Sequence, residues 1–229
     1  MNSMNNNVLF VTGTDTDVGK TVVSSAIIRH TVSQGKTVSP FKPVASGSMQ
    51  TNAGLRNDDA LQLLAASGGH LQYQQINPYV FEEPIAPHIA AFKTNTVIDT
   101  DKLSHHVQML SAQSDMVVIE GAGGWQVPLT NEVSFADWVR SLQCSVLLVV
   151  GLRVGCINHA VLSYLDIIKG PNKVIGWVAN TTDQQVEDIA EIVEYIDRVI
   201  DAPLMGIVPY LTREKLAGEF IDFSLLNNF

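Results

Sequence analysis

The sequence predicts an α/β fold, an open and mainly parallel sheet with helices on both faces. Three observations predict it. Strand-like runs alternate with helical patterns along the chain, as in successive strand–helix–strand units. Several of those runs are apolar without alternation, as in Met116-Val117-Val118-Ile119 and Val146-Leu147-Leu148-Val149-Val150. Such runs suit strands covered on both faces. The first run, Val8 to Val11, feeds a polar, glycine-containing turn that ends in Gly19-Lys20-Thr21, and a helical pattern follows.

In chain order, strands are expected at Val8–Thr12, Thr37–Pro43, Met116–Glu120, Ser145–Val150, Val174–Ala179 and Leu204–Val208. Helices are expected at Lys20–Gln34, Asp58–Ala66, Thr100–Ser114, Ser134–Leu142, Asn158–Ile168 and Gln184–Ile200. The last of these has apolar residues at Val186, Ile189, Val193, Ile196 and Ile200, a stripe that packs on a sheet. A heptad seam would need more length. Its Glu187, Asp188, Glu191 and Glu194 read as a solvated face.

The order strand, glycine-containing turn, Gly-Lys-Thr, helix is that of a P-loop. Backbone N–H groups of such a loop point at a polyphosphate, and the helix aims its positive end at the same anion. Lys20 would reach the β- and γ-phosphates, and the Thr21 hydroxyl would ligate Mg²⁺. The spacing departs from G-x-x-x-x-G-K-[ST]. Thr14 stands where the first glycine belongs, and Gly13 lies one residue earlier.

A chain of 229 residues suits one α/β domain, residues 1–229, better than two small ones. The formal charge of −9 argues against nucleic acid and anionic lipid as partners. Cys144 and Cys156 have no CxxC or metal-ligand spacing. The polar start MNSMNNN lacks a signal-peptide layout, and the longest apolar run, Val146 to Leu152, is too short for a bilayer. The expectation is a cytoplasmic protein with reduced thiols.

Ligands of open parallel sheets bind beyond the carboxyl ends of the strands. Lys20, Lys42, Glu120 and Asn180 fall there. Lys42, between Pro40 and Pro43, is either a stiffly held anion ligand or a surface lysine. Ser46 in Ala45-Ser46-Gly47-Ser48 offers a hydroxyl to a substrate or caps a turn. Asn57 or Asp58 reads as a helix N-cap, and an acid of Asn57-Asp58-Asp59 could equally approach Mg²⁺. Glu120 begins EGAGGW, where a P-loop fold places its second metal contact, or a plain tight turn. Arg153 to Asn158 could receive the far end of a substrate, or Asn158 could cap the next helix. The histidines have no metal spacing, and the adjacent His105 and His106 diverge by about 100° on a helix. No Ser-His-Asp set stands out.

Taken together, FVTGTDTDVGKT, FKPVASGS, GLRNDDAL, NPYVFEEPIAPH, VIEGAGGWQVPL, FADW, GCINHA, GWVAN and APLMGIVP resemble the dethiobiotin synthetases. They span most of the chain, and the family's loop carries the same offset glycine. The resemblance implies closure of a ureido ring from 7,8-diaminopelargonate and CO₂, with ATP and Mg²⁺. It implies catalytic roles for Lys42 and Lys20. It implies ATP contacts from Asp17, Val18, Gly19, Lys20 and Thr21 in the loop, and from Asp59, Glu120, Gly121, Ala122 and Gly123. Asn180 would read the adenine edge, with Pro209, Tyr210 and Leu211 nearby. Thr21, Asp59 and Glu120 resemble the Mg²⁺ ligands. Ser46 and Thr16 resemble substrate contacts. Gly155, Cys156 and Asn158 resemble the part of a neighbouring subunit that receives the substrate carboxylate, which implies a homodimer. Asp17 is one methylene shorter than the glutamate common in the family. From Thr212 onward the resemblance assigns no residue.

Two other readings use the same loop. One is an amide-forming ligase acting on a different acid, against which KPVASG and GCINHA argue. The other is a partitioning-type ATPase switch. Such switches carry an extra lysine early in the loop, and Gly13 to Val18 contains none. Those acting at membranes also tend to end in a basic amphipathic helix. The terminal FIDFSLLNNF has no basic residue.

Overall fold

A computed structural model of the protein describes residues 5–211 and 214–228. The leading MNSM of the polar start lies outside the described residues. The chain runs β1 (Asn5–Gly13), α1 (Lys20–Ser33), β2 (Val38–Phe41), β3 (Val44–Ala45), β4 (Met49–Thr51), β5 (Gly54–Arg56), α2 (Asp58–Ala66), α3 (Tyr73–Ile76), β6 (Tyr79–Val80) and α4 (Pro87–Lys93). It continues through α5 (Thr100–Gln113), β7 (Met116–Gly124), α6 (Phe135–Leu142), β8 (Cys144–Leu152), α7 (Cys156–Ile167), β9 (Lys173–Thr181), α8 (Ile189–Val199) and β10 (Leu204–Val208). Two 3₁₀ turns, Glu214–Phe220 and Ser224–Asn228, follow.

Six strands form one sheet in the order β10-β9-β8-β1-β7-β2, and each neighbouring pair is parallel. Along β1 the side chains alternate between two cores. Val8 and Phe10 join the buried residues of α5, α6, α7 and α8 on one face. Leu9 and Val11 join those of α1, α2 and the C-terminal segment on the other. The continuous apolar runs of β1, β7 and β8 are therefore the consequence of a sheet covered twice. Phe10, Trp125, Phe135 and Trp138 stack edge-on or tilted, with centroids 6.1–6.5 Å apart, and lock α6 to the sheet.

The strand order reverses direction at β1. The chain leaves β1 for β2, two positions away, and later returns to fill the places on either side with β7 and β8. That switch point opens a crevice at the carboxyl ends of β1, β7 and β2.

Local differences from the sequence expectation have physical reasons. The second strand stops at Phe41, because Pro43 lacks an N–H for the ladder. β7 continues past Glu120 to Gly124 by pairing with Gly13. The last long helix starts at Ile189, since Asp188 takes a left-handed φ of 54° and interrupts it. Of the expected stripe, Val193, Ile196 and Ile200 are buried, whereas Ile189 is half-buried and Val186, also half-buried, precedes the helix; Glu191 and Glu194 on the helix, and Glu187 and Asp188 before it, are exposed. α7 begins at Cys156 with Gly155 as N-cap, so Asn158 lies inside the helix and does not cap it. Asn57 caps α2, accepting from the Ala60 N–H at 3.3 Å. The short helices α3 and α4, the β4–β5 hairpin and the small β3–β6 pairing were not anticipated. Each is too short to produce a period.

The C-terminal segment returns to the edge of the sheet, where Gly206 bridges Ile221 and the Asp222 N–H donates to Met205 O at 2.6 Å. A Cβ on Gly206 would lie 2.0 Å from the backbone oxygen of Phe220. Gly206→Ala is therefore expected to prise this segment off β10. Overpacking of this kind costs about 1–3 kcal/mol. Thermal denaturation should show the loss, and limited proteolysis should show earlier cleavage after β10.

Candidate functional site

The loop between β1 and α1 is shaped by its own residues. Gly19 has φ 90°, a conformation that disfavours any side chain, and Asn180 fills the space where a Cβ would stand. The Val18 side chain packs down against the backbone of Gly13 and Gly151, where added Cβ atoms would meet it at 2.5 and 2.6 Å. Thr14, in the place of the usual first glycine, ties the loop to β8. Its N–H donates to Val149 O at 2.9 Å, and its hydroxyl accepts from the Gly151 N–H at 3.3 Å. The offset glycine thus belongs to a loop pinned on its β8 side.

Beyond the loop lies a cleft of about 730 Å³. Thr16, Asp17, Gly19, Lys20, Thr21, Lys42, Ser46, Asp59, Ala122 and Gly123 all line it. Ala45, Ile85, Pro87 and Val127 supply an apolar part of the wall. Val18, Glu120 and Gly121 are buried beneath.

The floor of the cleft is a charged cluster. Glu120 is fully buried within β7, opposite Val11 of β1. Its Oε1 accepts from Lys42 Nζ at 2.6 Å and from the Thr21 hydroxyl at 2.9 Å. Lys42 Nζ also donates to Asp59 Oδ2 at 2.9 Å and to Gly121 O at 3.3 Å. Burial opposes the Lys42 charge, but the Glu120 and Asp59 carboxylates outweigh it and raise its pKa. Burial likewise opposes the Asp59 charge, and the Lys42 ammonium outweighs that, so the Asp59 pKa is lowered. Asp59 sits in the first turn of α2, where a negative charge meets the positive helix end.

Lys20 is in a different state. Its ammonium donates to Asp15 O at 2.8 Å and makes no ion pair among the described residues. Burial, and then the charge of Lys42, lower its pKa to about 8; Glu120, Asp59 and Asp17 offset this only in part.

The donors at the cleft floor suit a magnesium ion. Glu120 Oε2 is buried without a hydrogen-bond partner among the described residues. With the Thr21 hydroxyl and Asp59 it forms a hard oxygen set. No group of three or more His, Cys, Asp or Glu able to hold a metal occurs among the described residues. Mg²⁺ in nucleotide sites needs only one or two carboxylates besides the substrate phosphates.

Not every expected residue comes to this cleft. Asn180 is the register partner of Val208, so Pro209, Tyr210 and Leu211 follow on beside it, at the β9–β10 end of the loop. Asn180 Nδ2 donates to Val18 O at 3.0 Å. Gly155, Cys156 and Asn158 line a second cleft of about 540 Å³ with Val161, Ile192 and Tyr195. Within one chain they do not meet the main cleft. The residues that sequence reasoning missed are Asp15, which receives Lys20, and Tyr73 and Asn77, which brace Lys42 from behind.

A parallel sheet with a Gly-Lys-Thr loop at its switch point defines a P-loop nucleotide-binding protein. The model for the "AAA domain" family matches residues 7–215. Solved cell-division ATPases share the fold. The MinC:MinD complex of Aquifex aeolicus superposes with a TM-score of 0.58 at 18% identity, covering 97% of this chain and 93% of that one. MinD of Pyrococcus horikoshii, solved with Mg-ADP, gives 0.58 at 15% identity, covering 96% and 88%. Identities so low speak for fold alone.

Sequence relatives narrow the class. The chain is 44% identical to the ATP-dependent dethiobiotin synthetase of Yersinia pestis over 225 residues, 95% of this chain and 94% of that one. It is 44% identical to that of Salmonella typhi, covering 95% and 96%, and 41% identical to that of Vibrio parahaemolyticus, covering 96% and 97%. The chain belongs to the ATP-dependent dethiobiotin synthetase family, and it is an ATP-dependent ligase.

Two outcomes follow from the charges. Truncating Lys42 to Met strands the buried Glu120 carboxylate, a loss of about 3–5 kcal/mol. The double variant Lys42→Met/Glu120→Gln should recover much of it in chemical denaturation. For Lys20 the charged form binds the polyanion, and bound phosphates hold its proton. ATP affinity should therefore be constant below pH 8 and fall roughly tenfold per unit above it. Calorimetric titration of ATP from pH 7 to 9.5 would show the break, and Lys20→Met should abolish it.

Proposed function

We propose that the protein carboxylates and cyclises 7,8-diaminopelargonate with CO₂, using ATP and Mg²⁺ and releasing dethiobiotin, ADP and phosphate. The observation that carries this reading is the Lys42 ammonium fixed at 2.9 Å from Asp59 and 2.6 Å from Glu120 on the floor of a cleft that Lys20 and Thr21 also line. Family membership supplies the substrates, and the apolar wall of Ala45, Ile85, Pro87 and Val127 suits an aliphatic chain.

The chemistry needs no protein nucleophile. One substrate amine adds to CO₂ and loses a proton, giving a carbamate. A carbamate oxygen then attacks the γ-phosphorus, and the P–O bond to ADP breaks. The second amine attacks the carbon of this mixed anhydride and expels phosphate, closing the ring. Phosphorylation turns an oxide leaving group into phosphate, which is why ATP is consumed. Phosphoryl transfer asks mainly for alignment and charge neutralisation. Lys20 serves the terminal phosphates, and the N–H groups of Asp17 to Thr21 wrap them. Lys42 bridges carbamate and γ-phosphate. Ser46 and Thr16 orient the diamine. Thr21, Asp59 and Glu120 would hold Mg²⁺, which neutralises charge between the phosphates. Asp17 reaches the substrate or metal through water. Asn180 Oδ1 accepts from the adenine amino group, with Pro209, Tyr210 and Leu211 at the base; Gly121, Ala122 and Gly123 lie along the nucleotide.

Gly155, Cys156 and Asn158 belong in this reading to a site completed by a second copy of the chain. Their separate cleft, and the exposed Val154 before α7 and Leu162 and Leu165 along it, support a homodimer. Cytoplasmic residence fits two buried, unpaired cysteines.

The test is phosphate release from ATP and Mg²⁺, with and without the diamine and bicarbonate, with mass detection of the product. Diamine-dependent release and a product heavier by CO₂ less water are expected. ATP binding with no response to the diamine would overturn the substrate assignment. Lys42→Ala should lose turnover, and nucleotide binding by the folded fraction should be largely kept.

A further inference from the structure

Lys42 lies just past the end of β2, at the edge of the sheet, so its peptide groups have no ladder partners. Residues around α3 supply them. The Lys42 N–H donates to Ile76 O at 2.7 Å. The Lys42 carbonyl accepts from Asn77 Nδ2, also at 2.7 Å. Asn77 is itself 2% exposed, and its Oδ1 accepts from the Tyr73 hydroxyl at 2.7 Å. That hydroxyl accepts in turn from the Asn57 N–H at 2.8 Å. Asn57 is the N-cap of α2, and its Nδ2 donates to Ser46 O at 3.4 Å. Two residues into α2 stands Asp59, whose carboxylate meets the Lys42 ammonium.

The chain of bonds thus closes a ring. One side is the Lys42–Asp59 ion pair in the cleft. The other side is a buried relay behind it, from the Asn57 N–H through Tyr73 and Asn77 to the Lys42 carbonyl. Every donor in the relay points the same way and every member is satisfied, which is the condition under which a buried polar network rigidifies a site. The Arg56 guanidinium lies 4.2 Å from the Tyr73 ring centroid and pins the ring. Burial raises the Tyr73 pKa, which keeps its hydroxyl protonated as the donor to Asn77.

We infer that Tyr73 and Asn77 are positioning residues that set the distance between the Lys42 ammonium and the Asp59 carboxylate. Neither touches the cleft. The inference rests on the catalytic role proposed for Lys42. An ammonium on a four-carbon stem is placed only as well as its backbone, and Pro40 and Pro43 fix φ angles without supplying bonds. The relay supplies them. It also explains why an acid from a different element meets Lys42 in register: α2 is hung from the same tyrosine oxygen.

The experiment uses the full chain with Tyr73→Phe, which removes one oxygen, and Asn77→Asp, which removes the donor to Lys42 but keeps the acceptor for Tyr73. The expected result is a kcat lower by roughly ten- to a hundredfold, as for a small misplacement of catalytic groups. KM and affinity for ATP should stay within about twofold, since the phosphate loop is untouched. Amide hydrogen exchange at Asn57 should rise in Tyr73→Phe while exchange in β1, β7 and β8 is unchanged. Unaltered kcat per folded molecule, or a loss of kcat that only tracks a general fall in thermal stability, would overturn the inference. If the wild-type chain showed no diamine-dependent phosphate release, the function proposed above would fail by itself. The relay would then be judged by exchange, and unchanged protection at Asn57 in Tyr73→Phe would sink it.

Discussion

The contact between Lys42 and Glu120 is the constraint on which the rest of the site depends. A carboxylate buried in the middle of a strand is costly unless a cation is held against it. Glu120 is fully buried, and Lys42 reaches it at 2.6 Å from beyond the neighbouring edge strand. The strand order makes this possible. β7 lies between β1 and β2, so the acid stands next to the phosphate loop on one side and the lysine on the other. Thr21 at the start of α1 and Asp59 at the start of α2 complete the same cluster. Two helix starts and two strands are thereby joined through one ammonium and the carboxylate it meets. Replacing the pair with apolar residues could hold the fold equally well.

The phosphate loop follows the same logic with different means. An ordinary loop uses a glycine at its first position to turn tightly. Here the turn is held by Thr14, which exchanges bonds with both Val149 and Gly151 of β8. Val18 fills the space under the loop that Gly13 and Gly151 leave open. Asn180, from the next strand over, supports the Val18 carbonyl and sits against Gly19. The loop is thus fastened to β8 and β9, whereas the acid–lysine cluster is fastened to β7 and β2. A nucleotide spanning the carboxyl edge would bridge the two halves of the sheet across the switch point at β1.

Much of this was legible in the sequence because it rests on local signals. Unalternating apolar runs announced the doubly covered strands. Gly-Lys-Thr after a strand announced the loop; Lys42 between two prolines and Glu120 after an apolar run were marked as candidates, but their mutual contact was not legible. What was not legible depends on contacts distant in sequence. Nothing near Tyr73 or Asn77 in the chain marks them, because their partners are Asn57 and Lys42. The start of α7 was misplaced by two residues, since Gly155 at φ 91° is a weak cap by composition. The hairpin at 49–56 and the short helices α3 and α4 leave no period to detect. The second cleft around Gly155 is likewise a product of α7 meeting α8, an encounter that no motif encodes.

The two lysines of the cleft are held in different ways. Lys20 is bonded to a neutral carbonyl, and with no carboxylate in direct contact its charge is weakly supported. Such a group gains most from an arriving polyphosphate, so it can report binding by taking up a proton or a new partner. Lys42 is held by two carboxylates and braced through its own peptide groups, so its charge and place are settled before any ligand arrives. To bridge carbamate and γ-phosphate as proposed, Lys42 would have to release donors now given to Asp59, Glu120 and Gly121. Any ligand of the cleft therefore meets one buried ammonium with a neutral carbonyl partner and another already held between two carboxylates.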